Sequence, residues 1–210
     1  MKISGLGLLR RAKRVVQHTE ERDTRIPQPA PFDSDWIRYC PQRPFPSYRH
    51  VPGATPHPIN DVHGHSYGLN EEAEEHIPPA EAWRENEDYL YGVDLYNFAF
   101  WWEAHEGWEG LWQIAEDEYR LFLQGLIQIS ASLIKYHSRQ LRPLRSLSTA
   151  GRDKVRRVRS NLGNPTMYMG INLNEFLTCH DTFFAPFFAD AVSSITYSRP
   201  TVKPLIRLEI

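Results

Sequence analysis

Cysteine is scarce in this chain: two in 210 residues, Cys40 and Cys179, far apart and in no Cys-x-x-Cys pattern. Two such isolated thiols exclude a disulfide framework and suit a reduced, intracellular protein. Long apolar runs are lacking too; none approaches the roughly 18 residues that a membrane span requires. Neither sign of charge dominates: 24 Lys and Arg face 26 Asp and Glu, a formal net charge of −2, which argues against a generic polyanion binder. The opening "MKISGLGLLRRAKRVV" has no small-residue cleavage site and sets its basic residues inside the apolar stretch, so it is not expected to serve as a signal peptide. Together these absences predict a soluble, cytoplasmic protein. Apolar residues make up 41% and aromatic residues 12%, enough for a sizeable core in one domain with extensions.

Composition divides the chain into four parts. Residues 1–18 read as a short basic amphipathic helix, with Leu8, Leu9, Ala12, Val15 and Val16 against Arg10, Arg11, Lys13 and Arg14. Such a segment can touch a membrane surface or a partner, although docking on its own domain is the commoner behaviour. Residues 19–79 form an extended arm: nine of the sixteen prolines fall between Pro27 and Pro58, and each removes a backbone donor and fixes φ. Trp36, Tyr39, Phe45 and Tyr48 supply this arm with apolar anchors, and "VPGATPHPINDVHGHSYG" places His57, His63 and His65 within nine residues. An acidic stretch from Glu71 to Asp94 follows. Residues 80–192 read as a helical domain, and residues 193–210 as an extended tail, since "IRLEI" alternates like a strand.

Within the helical part, Asp94 is the expected N-cap of a first helix running to about Ala115. A second helix spans about Glu118 to Arg139, with apolar residues round most of its circumference, and is therefore central. A third, from about Pro143 to Leu162, is expected to break or bend near Gly151. The fourth opens at "NLNE", where Asn172 and Glu175 have capping-box spacing, and Pro186 should kink its end. The fold class is all-α: a bundle of about four core helices with a Pro-rich irregular N-terminal arm and a short extended C-terminal tail.

The chemistry concentrates in "NFAFWWEAHEGWEGLW", which holds four of the six tryptophans. Positions 101, 105, 108 and 112 share one helical face, reading Trp, His, Trp, Trp. Glu109 lies one turn beyond His105, so the two can meet. The tryptophans imply burial, which makes an unsatisfied polar pair costly by about 3–5 kcal/mol. In the second helix Arg120, Gln124, Gln128, Ser132 and Lys135 form a polar stripe, expected to face either the His105–Glu109 pair or water. Gly107, Gly110 and Gly125 suggest that these two helices cross closely.

The segment "WWEAHEGWEGLW" resembles the first signature helix, His-x-x-x-Glu-x-x-Trp, of the domain-of-unknown-function family numbered 309, here His105, Glu109 and Trp112. "FLQGLIQISASL" is similar to that family's second block and "GINLNEF" to a weaker third, a resemblance over about residues 90–180. The third helix departs from the family pattern at "RQLRPLRSL". The resemblance implies an all-α fold and allows a metal at His105 and Glu109, but it brings no established activity.

Three readings of the site stay open. In the first, His105 and Glu109 hold a divalent metal (Zn, Mn or Fe), with the missing ligands supplied by His63 and His65 or by His57, because two ligands from one helix do not suffice. The pattern is not the zincin His-Glu-x-x-His, nor the Glu-x-x-His of di-iron bundles. In the second, His105 and Glu109 are the catalytic pair of a metal-free pocket, Trp108 and Trp112 its walls, and Arg120, Gln124 and Gln128 its contacts to a small polar or anionic ligand. In the third, the commonest outcome for such a pair, it fixes helix register in the core or an oligomer seam, so that the protein is a structural or interaction module. Whether the protein is an enzyme is left open. The expected assembly is a homodimer or other homo-oligomer. His137 and His180 read as ordinary helix histidines. Eight basic residues between Arg139 and Arg159 could neutralise phosphates, but no aromatic is interleaved for stacking, so nucleic acid is not the expected partner; a solvated face pairing with the acidic stretch or a second subunit is.

Overall fold

A computed structural model describes residues 27–69, 76–189, 192–195 and 200–209; the basic segment over residues 1–18 and the acidic residues 71–75 lie outside them. The described residues form five α-helices: α1 Glu87–Asn97, α2 Trp101–Ile114, α3 Asp117–His137, α4 Leu141–Asn161 and α5 Leu173–Phe184. A two-stranded hairpin, β1 Met167–Tyr168 and β2 Ile171–Asn172, joins α4 to α5. Its turn residues Met169 and Gly170 both have positive φ, 46° and 77°, the twist that suits a two-residue hairpin. The protein is thus a mostly helical bundle. No described helix is long and apolar enough to cross a membrane.

The expected first helix is two helices. Asp94 does not cap it; Asn86 does, its side chain accepting from the Tyr89 amide at 2.9 Å. Helix α1 ends in a Schellman turn, with Ala99 N–H donating to Tyr96 O and Phe100 N–H to Leu95 O. That turn holds Ala99 at φ 65°, a conformation costing a non-glycine residue about 1–2 kcal/mol. Phe45 of the arm stabilises the break, its ring 4.9 Å from both Phe98 and Phe100. Arg49 also donates to the Phe98 carbonyl at 2.8 Å. The break therefore comes from a contact about fifty residues away in sequence, which local periodicity does not carry.

Asp94 has a different task. It lies within α1, 0% exposed, and its carboxylate accepts from the Tyr39 amide (2.7 Å), the Cys40 amide (2.9 Å) and Arg38 Nε (3.2 Å). The arm is bound to the bundle through these bonds. The tail joins at the same end: Asn97 exchanges both amide bonds with Ile206 at 2.8 Å, and Leu208 N–H donates to the Tyr39 hydroxyl.

Helix α3 is central, packed on α2 at one side and α4 at the other. Its expected close approach to the first helix is corrected. Nothing lies within 4 Å of a Cβ built on Gly107 or Gly110, whereas one on Gly125 would sit 2.9 Å from Val155 Cγ2 and 3.1 Å from Gly151 O. A Cβ on Gly151 would meet Gly125 O at 2.7 Å and the Ile129 side chain at 2.7 Å. The crossing is thus between α3 and α4, and Gly151 marks that contact rather than a break, since α4 runs uninterrupted. Helix α5 is capped by Asn172, which accepts from the Glu175 amide at 3.2 Å. It ends at Phe184, and a 3-10 turn over Ala185–Phe188 carries Pro186.

The two glycine pairs should respond oppositely to one methyl group. Gly151→Ala and Gly125→Ala are expected to lose about 1–3 kcal/mol by overpacking. Gly107→Ala and Gly110→Ala should gain about 0.5–1 kcal/mol each from reduced chain entropy. Denaturant unfolding of the four variants checks both signs.

Candidate functional site

Helix α2 buries Trp101, Ala104, Trp108 and Leu111 among α1 and α3. Ser130 of α3 donates to the Trp101 carbonyl at 2.7 Å and fixes how the two helices meet. His105 is placed by the same contact: its Nδ1–H donates to the Ile127 carbonyl of α3 at 3.3 Å. In the neutral ring this leaves the lone pair on Nε2, which faces Glu109 Oε1 at 3.4 Å. Glu106 completes a cluster in which one ligand atom from each of His105, Glu106 and Glu109 lies within 4.8 Å of the others. The pair is not buried, as the tryptophan content suggests; the His105 and Glu109 side chains are 24% and 44% exposed. The reason is that only part of the tryptophan-rich circumference turns inward.

Of the expected walls, Trp108 is fully enclosed on the α1 side, its indole occupying the space that a side chain at Gly92 would need. It is a core residue and not a wall. Trp112 is half-buried and covered by the Arg120 guanidinium, 4.3 Å above the ring. Arg120 therefore sits on an indole rather than on the His105 pair. Gln124 is half-buried on α3. Gln128 accepts from Lys154 of α4 at 3.0 Å, and Ser132 is buried with its hydroxyl on the Ile129 carbonyl. The polar stripe of α3 thus divides among three neighbours instead of enclosing one pocket.

The arm does fold over α2, but on the other side. His63 is exposed, and His65 Nε2 donates to Glu103 Oε1 at 3.1 Å, both side chains nearly buried. The expected metal set of His105, Glu109, His63 and His65 is therefore not assembled. Residues 103 and 105 stand about 200° apart round a helix, so an arm seated on one cannot reach the other. Glu103 Oε1 also accepts from the His50 amide at 2.7 Å, while its buried Oε2 has no partner among the described residues. Trp102 is flanked edge-on by His50 and His57, with ring centroids at 5.0 and 5.4 Å. Burial pushes the His50 imidazole down, and its Nδ1 is tied to Thr55 and the Pro56 carbonyl. Glu103 and His50 are the polar residues that sequence reasoning missed. Their only sequence signal is a carboxylate following two tryptophans.

Residues 89–147, from α1 into α4, match the model of a domain of unknown function (DUF309). Over that segment the chain is similar to DUF309. The matched stretch includes His105, Glu109 and Trp112 and stops short of "GINLNEF", so it is narrower than the resemblance over residues 90–180. Neither the curated proteins nor the solved structures compared with the chain gave a match.

The two histidines read as ordinary, His137 inside the matched stretch and His180 beyond it, have specific surroundings. His137 meets the Pro27 carbonyl and packs on Trp101. His180 is 2% exposed, with Nδ1 3.3 Å from Asp181 Oδ1 and its ring 4.6 Å from Phe184. Its Nε2 is buried without a partner among the described residues. Burial pulls its pKa down to about 4, against a smaller upward pull from Asp181. The folded state thus binds fewer protons than the unfolded state between about pH 4 and pH 6.5, so stability falls as pH drops through that window. Unfolding free energy should lose roughly 2–3 kcal/mol more between pH 7 and pH 4.5 in the wild type than in His180→Leu; parallel pH profiles would contradict this.

Proposed function

We propose that α2, within the segment similar to DUF309, forms an open divalent-cation site from His105, Glu106 and Glu109, to which a small polar ligand is recruited. The observation that carries this reading is the Nδ1–H bond to the Ile127 carbonyl. Metal-ligating histidines typically donate their second ring nitrogen in this way, which orients the ring and fixes the tautomer. Two acceptors, His105 Nε2 and Glu109 Oε1, then face each other at 3.4 Å; a proton or a cation between them relieves the repulsion.

The donor set, one imidazole and two carboxylates, suits zinc, manganese or iron(II). Ligand atoms about 2.0–2.2 Å from an ion stand about 3.3–3.6 Å apart at the tetrahedral angle. His105 Nε2 and Glu109 Oε1 already stand at that separation, and Glu106, within 4.8 Å of both, needs to close by at most about an ångström. Three protein ligands on one helix leave coordination positions open, the arrangement of a reactive rather than a structural site. When bound, such an ion acidifies a water or polarises an oxygen of the ligand. Trp112, one turn beyond Glu109 and covered by Arg120, is the candidate for ligand contacts, with Gln124 of α3 beside it as a second. The exposure of Glu109 speaks against a pair whose sole task is to lock core register.

The test is calorimetric titration of chelator-treated, untagged protein with Zn²⁺ and Mn²⁺, beside melting curves. Near-stoichiometric binding that weakens at least tenfold in His105→Ala and in Glu109→Gln, with ion-free melting temperatures close to wild type, is the expected outcome. No ion binding together with a markedly lower melting temperature in His105→Ala would favour the structural or interaction module instead.

A further inference from the structure

A second polar site lies away from α2, sharing none of its residues. A cavity of about 460 Å³ opens between α4 and the end of α5, lined by Ser148, Thr149 and Arg152 on one side and by His180, Phe184 and Phe188 on the other. That volume is in the range of small-molecule pockets. Its chemistry is unusually simple. Phe184 and Phe188 give an aromatic wall, and Phe188 is 44% exposed. The charges at the mouth neutralise one another: Arg156 and Arg152 lie 2.6 and 3.7 Å from Asp181, and Arg152 lies 3.0 Å from Asp153. Of the residues that line the cavity, Arg152 and Asp181 carry one charge of each sign, which leaves the lining itself no surplus to select an ion.

Among the described residues that line the cavity, His180 has a buried polar atom left unmet. Asp181 lies beside Nδ1, which accounts for the proton there and makes Nε2 the acceptor. That nitrogen is buried and unbonded among the described residues. An orphaned buried acceptor is costly, and a donor that reaches it removes that cost. A neutral ring, favoured by the burial already described, keeps the lone pair available at physiological pH.

The geometry points to this α4–α5 cavity as a binding site for a small neutral aromatic compound bearing a hydroxyl group, its ring against Phe184 and Phe188 and its O–H donated to His180 Nε2. Aromatic packing supplies the affinity. The hydrogen bond supplies selectivity, because a compound without the donor leaves the buried nitrogen unpaired.

Fluorine NMR of the full chain with 4-fluorophenol and with fluorobenzene as probes separates these contributions. Wild type should bind 4-fluorophenol at least tenfold more tightly than fluorobenzene. Ala185→Trp, at an exposed position lining the cavity, should abolish binding of both without touching the core. His180→Leu should bring the two probes to equal, weak affinity. Equal affinities in wild type, no binding of 4-fluorophenol, or binding undiminished in Ala185→Trp would each overturn the assignment. The Ala185 variant and the probe comparison keep the test decisive even if His180→Leu fails to fold.

Discussion

The buried carboxylate of Asp94 is the constraint on which the arrangement of this protein depends. A charge with no exposed surface is tolerable only when its oxygens are bonded, and the bonds come from the arm: two successive amides and the Arg38 guanidinium. Arg38 in turn donates to the Cys40 and Arg43 carbonyls and covers the Phe45 ring, so the chain curls round the charge it satisfies. From that point the path of the arm is set. Phe45 reaches the break between α1 and α2, and His50 and His65 reach Glu103. Tyr39, whose amide is held by Asp94, accepts from Leu208 with its hydroxyl and ties in the tail. A proline-rich segment without regular structure is ordered by polar bonds at a few points, with aromatic anchors between them.

Helix α2 divides the consequences. Each residue advances about 100° round the axis, so "WWEAHEGWE" distributes its polar groups over separate surroundings. Glu103 lies under the arm, while His105, Glu106 and Glu109 stay partly open beside α3. Trp108 goes into the core against Gly92, and Trp102 receives the arm histidines. The same nine residues thus serve the core, the arm junction and the proposed cation site. Glu103 is nearly buried with one oxygen unbonded among the described residues, and two bonds to its other oxygen offset part of that cost.

What could be read from the sequence follows from the range of the interactions. Helices α3, α4 and α5 were legible because their apolar periodicity and the Asn172 cap are local. The division of the first helix was not, because Ala99 adopts a left-handed conformation for reasons that reside in Phe45 and Arg49. Asp94 looked like a cap because a carboxylate before an apolar run usually is one; its true partners lie some 55 residues upstream. The His105–Glu109 pair was legible from one-turn spacing. The landing site of the arm histidines was not, since reaching Glu103 rather than His105 depends on where Asp94 fastens the arm. Gly125 was correctly read as a close approach, but toward α4, a choice that needs the partner glycine at 151 and cannot be made from one helix alone.

Amide hydrogen exchange in Asp94→Asn, compared with wild type, tests the latch most directly. The substitution keeps the size of the side chain and replaces one acceptor oxygen with a donor that faces donors. Protection of the Tyr39, Cys40 and His50 amides should fall at least tenfold while the interior amides of α3 and α4 keep theirs. Arm amides that exchange as slowly as in wild type would contradict the view that this carboxylate holds the arm and, through it, the far side of α2.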